Sequence, residues 1–535
     1  MENYSLFWQK STIAIAFASL LFLYFLYHLN NIFVLNVRFF KKVFYILKKL
    51  IKNLVVVFLI IIMNRKRLRT SRMTDAANES SNNSDLGNLK MFEFVRIKCT
   101  KSSEVRILKN EISNLASRFS YSYSLRDTSP DTDNSRNQNQ SIHYGVPKKR
   151  SGHRAVCNNE NMWIWGGFCP IREQNINEDD EDNENVYPSP LFPELWRFNF
   201  NTRRWCLLKT TGDIPDKFVA SHSTILHGTS TLIVFGGTGF PFGESLSNSL
   251  YICNLGTLVW KKYELKGQKP LPLYGSSLLT VGDNLYILFG TNAVQYCSNV
   301  YRVNIKTLES VKLFDSIELI ENATVADTHR LNQLYPNDFL TGRYRQEVVY
   351  YENKLYTFGG GKIDGDAHCF ENLPAFNIET DNWEFINTYA DVKTNSFPEK
   401  RKFHSCIRIS DYVYVFGGMH CDLENNVFRS VENCVWRLNM LNLRWQKLDL
   451  KIPCLTYFHA ACANDNGQVF IHGGVKSVNE TNTRVNHLYS VSLMIPKLGD
   501  ICWTKLIVNY PKLVYMNKKY LLSLGIPNEF IRRIN

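Results

Sequence analysis

One pattern recurs six times after about residue 148 and constrains the fold of this 535-residue chain more than any other feature. In each copy, four mostly apolar residues run into a pair of turn residues. The six pairs are Gly166-Gly167, Gly236-Gly237, Gly290-Thr291, Gly359-Gly360, Gly417-Gly418 and Gly473-Gly474. Such a run predicts a strand buried on both faces, and its glycines allow a turn that side chains would obstruct. The regular recurrence indicates a radial array of four-stranded sheets that bury their faces against one another.

A second signature follows the glycine pairs. In most copies an aromatic residue is followed by a tryptophan: Trp196 by Trp205, Tyr251 by Trp260, Phe376 by Trp383, and Trp436 by Trp445. The third copy carries Val311 at the tryptophan position, and a long insert at residues 316–341 precedes the fourth. The pattern resembles the kelch repeat, and six copies imply a six-bladed β-propeller over residues 145–495. We therefore predict an all-β protein with a short helical tail at residues 496–535.

The net charge of +13 suggests nucleic acid or a membrane surface as a partner, so its position in the chain matters. Residues 1–110 contain 18 Lys and Arg against 6 Asp and Glu, whereas residues 111–535 contain 44 against 43. The predicted propeller is therefore nearly neutral, and we expect no nucleic-acid partner. An acidic run at residues 177–185 predicts a solvated loop of the first blade.

The first 63 residues are hydrophobic and basic. Residues 12–29 form an uncharged apolar run at the lower limit for spanning a membrane, and the positive charge after it would hold the rest of the chain in the cytosol. AT-rich codons upstream of a true start at Met63 or Met73 would give the same composition, so an anchor and a misassigned start both stay open. Residues 64–144 predict a largely disordered linker, in which residues 91–97 alternate as a strand does.

Thirteen scattered cysteines bear on the cellular compartment, because they include no Cys-x-x-Cys pair. This usage indicates reduced thiols and a cytoplasmic or nuclear protein. If residues 12–29 are a real anchor, we expect the protein on the cytosolic face of a membrane.

The C-terminal tail has a different pattern from the repeats. Leu498, Cys502 and Leu506 lie four residues apart and would share one face of a helix. Short apolar segments separated by Pro511 and Pro527 follow. They predict a small helical unit whose face is too apolar to stand alone, which is typical of a docking element.

This tail resembles the BC-box, in which Leu and Cys at this spacing fill a pocket of elongin C. Lys497 and Gly499 depart from the BC-box pattern. Residues 510–513 resemble the segment that selects cullin-2, which implies cullin contacts for Pro511 and Leu513. The alternative is structural, with Trp503 as the displaced tryptophan of the sixth blade.

Four motifs occur in an order that is similar to kelch-repeat substrate receptors of cullin-2 RING ubiquitin ligases. They are Gly342-Arg343-Tyr344-Arg345, Phe403-His404-Ser405-Cys406, Tyr457-Phe458-His459 and Ile501-Cys502-Trp503. The resemblance implies elongin B and C, cullin-2 and a RING subunit as partners, and recognition of the C-termini of client proteins. The receptors that the chain resembles are also linked to stress signalling through inhibition of a Ser/Thr protein phosphatase. An interaction scaffold without ligase assembly is therefore the alternative function.

A receptor for a chain terminus must bind a carboxylate, and a guanidinium does so with two parallel hydrogen bonds. Arg343 and Arg345 are the candidates, because the segment before each glycine-closed strand reaches the central face of a propeller. Residues at comparable places would line the pocket: Ser221, Tyr274, Phe403 and Tyr457. The alternative for each arginine is bracing between blades.

Four histidines also recur at one repeat position: His153, His222, His404 and His459. Blade symmetry predicts a repeated structural hydrogen bond for them rather than a metal site. The sequence contains no Gly-x-Ser-x-Gly elbow, no Gly-rich phosphate loop and no His-Glu-x-x-His helix. We therefore expect no catalytic role, no metal and no cofactor.

Overall fold

The computed structural model describes residues 95–97, 143–174, 189–323, 325–335, 339–422, 427–454, 456–478 and 481–534. The hydrophobic segment at residues 12–29, the remainder of the first 63 residues and the acidic run at 177–185 lie outside the described residues. Within the described ranges, no helix is long and apolar enough to cross a membrane.

The repeats form six β-sheets arranged as the blades of a propeller. The first strand of each blade contacts the first strands of both neighbouring blades, so these six strands close a ring around a central axis. The predicted all-β propeller with six blades is confirmed.

The first three blades each have five strands, in the following order from the axis outward. Blade 1 consists of Arg154–Cys157, Asn161–Trp165, Leu195–Asn199, Arg204–Leu208 and His143–Gly145. Blade 2 consists of Ser223–His227, Thr231–Phe235, Leu250–Asn254, Val259–Tyr263 and Thr211–Gly212. Blade 3 consists of Ser277–Val281, Asn284–Thr291, Tyr296–Asn304, Glu309–Phe314 and Lys266–Gly267.

The last three blades each have four strands, again from the axis outward. Blade 4 consists of Glu347–Tyr351, Lys354–Phe358, Asn372–Asn377 and Asn382–Asn387. Blade 5 consists of Ser405–Ile409, Tyr412–Phe416, Cys434–Asn439 and Arg444–Lys451. Blade 6 consists of Ala460–Ala463, Gln468–His472, Leu488–Ser492 and Val95–Arg96.

Small sheets extend two of the loops between the second and third strands. In blade 5 the strands are Met419–Asp422 and Val427–Ser430. In blade 6 they are Val475–Val478 and Thr481–Arg484, joined by Thr456–Tyr457. A 3₁₀ helix at Ile171–Glu173 lies in the corresponding loop of blade 1.

The hydrophobic core is divided among the blade interfaces. Each of six clusters of buried side chains draws its members from two neighbouring blades. The second strands are buried on both faces, as in Leu232, Ile233, Val234 and Phe235, none more than 1% exposed. This placement explains why these strands are continuously apolar rather than alternating.

Blade 6 is completed by the N-terminal part of the chain. Val95 pairs with Ser490 and Arg96 with Tyr489, and the amide of Ile97 donates to the carbonyl of Leu488 at 2.8 Å. The predicted strand character of residues 91–97 is thus confirmed for Val95–Arg96. The ring is closed by pairing a segment before the repeats with the last repeat.

The insert at residues 316–341 packs at the interface of blades 3 and 4, next to the blade that lacks its tryptophan. It forms helices α1 (Ser316–Glu321) and α2 (Val325–Leu334) and a 3₁₀ helix at Phe339–Thr341. Phe339 is fully buried, with its ring 4.8 Å from the ring of Trp383. Val311, which replaces the tryptophan of the third copy, is 39% exposed.

The tail is helical, as predicted, and has its own small core. Its elements are α3 (Leu498–Asn509), a 3₁₀ helix (Pro511–Tyr515), α4 (Lys518–Ser523) and α5 (Asn528–Arg532). The buried core residues are Trp503, Ile507, Leu513, Leu521 and Ile531.

Candidate functional site

Six residues with a positive φ angle form a ring around the propeller axis, each just before the first strand of its blade. They are Gly152, Ser221, Gly275, Arg345, Phe403 and Phe458, with φ between +55° and +71°. The amide of Ser221 donates to the carbonyl of Gly152 at 3.0 Å, and that of Gly152 to Phe458 at 3.1 Å. Gly275 donates to Ser221 at 2.7 Å, and Arg345 to Gly275 at 3.0 Å. These bonds hold side-chain-bearing residues in a backbone conformation that costs about 1 kcal/mol or more each.

Arg345 belongs to this ring, and its side chain reaches across to other blades. Its Nη2 donates to the carbonyl of Gly152 at 3.2 Å and to Oγ of Ser221 at 2.9 Å. Its guanidinium lies 5.2 Å from the centre of the Phe458 ring. Arg345 is therefore in contact with blades 1, 2 and 6 although it belongs to blade 4.

Among the described residues, no carboxylate forms an ion pair with Arg345. The side chain is 4% exposed, and its Nε has no hydrogen-bond partner. Burial lowers the pKa of Arg345 to about 10, although the charge of Glu347 acts to raise it, so the group is still a cation at neutral pH. A buried cation with unused hydrogen-bonding capacity favours an anion as its partner.

Arg343 occupies a different position. Its Nη1 donates to the carbonyl of Gly359 at 2.8 Å, sixteen residues later. Arg150 and Arg401 make the same contact at the same spacing, to Gly166 and Gly417, both at 3.0 Å. Arg343 therefore braces its own blade, as Arg150 and Arg401 do theirs, and this bond is not the bracing between blades predicted as the alternative.

The predicted lining residues are brought together on the central face. Tyr344 connects them: its hydroxyl lies 3.3 Å from Oγ of Ser221, and its ring lies 5.5 Å from Tyr274 and 5.8 Å from Phe403. Phe403 in turn lies 6.3 Å from the ring of Tyr457. Arg345 and the four predicted lining residues thus belong to one continuous cluster.

Two members of this cluster were not predicted, Tyr344 and Phe458. Phe458 stacks on Phe403 with ring centres 3.8 Å apart. Alignment of the repeats contains a signal for both residues. Tyr344 holds the repeat position of Tyr274 and Tyr457, and Phe458 holds that of Phe403.

The recurring histidines pack at the interfaces between blades. A Cβ added to Gly166 would lie 2.8 Å from Cε1 of His222 in the next blade, and one on Gly417 would lie 2.7 Å from Cε1 of His459. Nδ1 of His222 donates to the carbonyl of Val219 at 3.0 Å, whereas His153 pairs with His472 at 3.0 Å. The predicted structural hydrogen bond is thus observed at His222 but replaced by a histidine pair at His153.

Burial keeps these imidazoles neutral. Desolvation lowers the pKa of His222 to about 3 and that of His459 to about 4, and it holds the pKa values of His153 and His404 well below the usual range. In the part of the chain that the structure describes, no three His, Cys, Asp or Glu side chains are grouped to hold a metal ion.

The predicted docking residues share one face of α3, as expected, but differ in burial. Leu498 is 56% exposed and Cys502 is exposed, whereas Leu506 is half-buried against the tail core. Of the two predicted cullin contacts, Pro511 is exposed and Leu513 is buried in the tail core.

The structural alternative for Trp503 is wrong. Its ring stacks on Phe530 within the tail at 5.4 Å. Val95–Arg96 forms the outer strand of blade 6, and Trp503 packs in the core of the helical tail instead.

Comparison with known proteins agrees with this architecture. Residues 123–315 and 318–509 match the family model described as the KLHDC2/KLHL20/DRC7 Kelch-repeats domain. Kelch domain-containing protein 10 of Xenopus laevis is 34% identical over 388 residues, covering 72% of this chain and 86% of that protein. The human protein of that name is 33% identical over 392 residues, covering 72% and 80%. The Drosophila melanogaster homolog is 29% identical over 409 residues, covering 73% and 62%.

A six-bladed propeller with an aromatic central face and these matches support a protein-interaction role of the kelch kind. The chain therefore belongs to the kelch-repeat family, in the group represented by Kelch domain-containing protein 10.

Proposed function

We propose that this protein is the substrate-recognition subunit of a cullin-2 RING ubiquitin ligase. Its propeller binds the C-termini of client proteins, and its tail binds elongin. The exposed face of α3 is the observation that carries this proposal. Leu498 and Cys502 are exposed on a helix whose other side, with Trp503 and Ile507, is buried.

The tail core explains why a partner would bind the exposed face. Trp503 and Ile507 already pack with Leu513, Leu521 and Ile531, so the helix is formed before it meets a partner. A preformed helix with protruding apolar residues fits the groove mode of recognition, with little ordering cost on binding. The BC-box resemblance names elongin C as the protein that supplies the groove.

The central face supports the client-binding part of the proposal. We assign the client carboxylate to Arg345 alone, because bracing accounts for Arg343. The hydroxyls of Ser221 and Tyr344 are further donors beside the guanidinium. A carboxylate that reaches Arg345 replaces a bond between an ion and the neutral hydroxyl of Ser221 with paired hydrogen bonds between two ions, which add the attraction of opposite charges.

The chain itself carries out no chemical step in this proposal. The receptor holds a client near the subunits that transfer ubiquitin, and proximity raises the rate. Eleven cysteines in the part of the chain that the structure describes are free thiols, which supports a place of action in the cytosol or nucleus.

Co-purification with elongin B and C tests the proposal. We expect the wild-type protein to bind the elongin pair, and the double variant Leu498→Ala/Cys502→Ala to lose at least about 90% of it, as expected for removing two central anchors. Val508→Ala is the matched control, because Val508 is an apolar residue of the same helix, 52% exposed, on another side.

Absence of wild-type binding, or equal binding by all three proteins, would contradict the receptor function. The alternative is then an interaction scaffold, for example one that binds a Ser/Thr phosphatase without ligase assembly.

A further inference from the structure

The loop between the second and third strands of blade 2 presents two phenylalanines to solvent. Phe240 is 54% exposed and Phe242 is 49% exposed. Their ring centres are 5.5 Å apart, at an interplanar angle of 86°. Both rest on the buried ring of Phe168 from blade 1, at 5.4 and 4.8 Å. Exposed aromatic pairs of this size on a folded protein mark a binding surface.

The loop that carries the two rings is held in place by hydrogen bonds. Thr238 and Ala220 exchange backbone bonds at 2.9 and 3.2 Å. Gly239 donates to the carbonyl of Ser245 at 3.0 Å, and the amide of Gly243 donates to Oγ1 of Thr238 at 2.9 Å. The rings are therefore preorganised, so a ligand does not bear the cost of ordering them.

A chain of contacts leads from Arg345 to this pair. Ser221 bonds the guanidinium at 2.9 Å and is adjacent to Ala220, the partner of Thr238, and these three residues are buried. On the other side, a Cβ on Gly243 would lie 3.7 Å from the hydroxyl of Tyr274, whose ring contacts Tyr344, and both tyrosines are partly exposed. An extended peptide advances roughly 3.3 Å per residue, so a peptide of several residues that starts at Arg345 and crosses Tyr344 and Tyr274 reaches the pair.

We propose that Phe240 and Phe242 form a second subsite, which binds an apolar side chain several residues before the C-terminus of the client. This inference rests on the proposed binding of a client carboxylate at Arg345. It adds that the receptor reads client sequence as well as the chain end, and that the client runs outward over the junction of blades 1 and 2.

The chemistry next to the pair favours an apolar client side chain over a charged one. Arg484 lies over the Phe168 ring at 5.4 Å, but it is paired with Glu173, with Nη1 and Oε1 2.5 Å apart. Its charge is therefore compensated by its own neighbour. Burial of client carbon against two rings supplies the affinity.

The test measures binding of eight-residue fluorescent peptides to the full-length protein. The peptides have a free carboxyl terminus and a Gly/Ser background, with one Phe moved from the second to the seventh position from the end. For the wild type we expect Phe at one position, or at two neighbouring positions, to strengthen binding about tenfold over Ser, the effect of burying one aromatic side chain. In the variant Phe240→Ser/Phe242→Ser this gain should fall below about twofold.

Leu441→Ser is the matched control, because Leu441 is 70% exposed in the turn between the last two strands of blade 5. It should keep the full gain. A position-independent gain, or the same gain in the double variant, would overturn the subsite. Equal melting temperatures of the variants and the wild type show that folding is not the cause.

An amidated set of the same peptides separates the two proposals. If amidation weakens binding but the Phe position has no effect, the subsite fails and the carboxylate site stands. If amidation has no effect, the carboxylate site fails, whatever the Phe position does.

Discussion

Arg343 and Arg345 are two residues apart and have different roles in the propeller. Arg343 bonds the carbonyl of Gly359 in its own blade, whereas Arg345 crosses the axis to Ser221 and Gly152. Arg345 itself has a positive φ of +55°. The sequence predicts an arginine at this face, but it cannot choose between the two, because that choice depends on backbone torsion and on residues from other blades.

The second glycine of the five Gly-Gly pairs is required by close packing. At Gly237, with φ of +101°, a Cβ would lie 2.2 Å from the carbonyl oxygen of Phe218 and 2.9 Å from Cβ of His222. Gly228 also has a positive φ, +62°, but a Cβ there meets nothing within 4 Å. We expect Gly228→Ala to lower the free energy of unfolding by about 1–2 kcal/mol, from backbone strain alone.

Gly237→Ala adds the steric overlap and should cost about 2–3 kcal/mol more than Gly228→Ala. Urea denaturation followed by tryptophan fluorescence measures both variants. Equal losses would show that packing against Phe218 and His222 does not explain the second glycine.

The buried histidines predict acid sensitivity. Unfolded imidazoles titrate near pH 6.5, whereas burial lowers the pKa of His222 to about 3 and that of His459 to about 4. Between these values the unfolded chain binds protons that the native protein does not, so the free energy of unfolding falls as pH decreases below about 6.5. Above pH 7 this contribution is complete and constant.

Urea unfolding at pH 8, 7, 6 and 5 measures this effect. Each buried histidine contributes at most about 1.4 kcal/mol per pH unit within the window. In His222→Gln, the free energy of unfolding should fall less steeply between pH 6 and 5, by at most about 1.4 kcal/mol per pH unit. Stability that does not change between pH 7 and 5 would contradict neutral burial of these side chains.

At the scale of elements, the sequence predicted the six apolar strands because each one carries its burial pattern locally. It predicted strand character for residues 91–97 for the same reason. The partner of that strand could not be predicted, because Val95 pairs with Ser490, nearly 400 residues away, and the sequence contains no local signal for that pairing. The role of Trp503 could not be predicted for the same reason, because the sequence does not show which segment forms the outer strand of blade 6.

Removal of the closing strand should destabilise the whole propeller. Ile97 is 8% exposed and packs in the core between blades 6 and 1. A chain that begins after Ile97 loses this burial and the pairing of Val95–Arg96, a loss of about 2–4 kcal/mol. We expect its melting temperature to fall by about 5 °C or more relative to a chain that begins at Met91.

Calorimetry of the two shortened chains and the full-length protein gives the comparison. Both start sites considered from the sequence, Met63 and Met73, keep the strand, so either product should melt with the full-length protein. Melting of the chain lacking Val95–Ile97 at the temperature of the others would contradict ring closure by this strand.

At the scale of the whole molecule, the tail is fixed to blade 1 through an arginine between two tyrosines. The guanidinium of Arg204 lies 3.4 Å from the ring centre of Tyr144 and 4.7 Å from that of Tyr515 in the tail. Tyr144 belongs to the outermost strand of blade 1. The proposed receptor function needs such a link, because in that proposal the tail holds the ligase at a constant distance from the bound client.

Arg204→Ala should loosen the tail without unfolding the propeller. We expect hydrogen exchange of α3 to α5 to become about fivefold faster or more, the effect of losing roughly 1 kcal/mol of cation–π and packing energy. Arg444→Ala is the matched control. It precedes the tryptophan of blade 5 as Arg204 does in blade 1, and it lies 5.3 Å from the ring of Tyr389, away from the tail. Equal exchange of the tail in both variants would show that Arg204 does not hold it.

In the proposed function, the propeller recognises a chain end through Arg345. The most direct measurement compares the affinity of one client peptide as a free acid and as an amide, for the full-length protein and for Arg345→Gln. Loss of a charge-assisted pair of hydrogen bonds predicts that the amide binds the wild type about 30-fold to 100-fold more weakly. The variant should bind both forms equally and weakly while it keeps a cooperative thermal transition. Equal affinity of the wild type for the acid and the amide would contradict the claim.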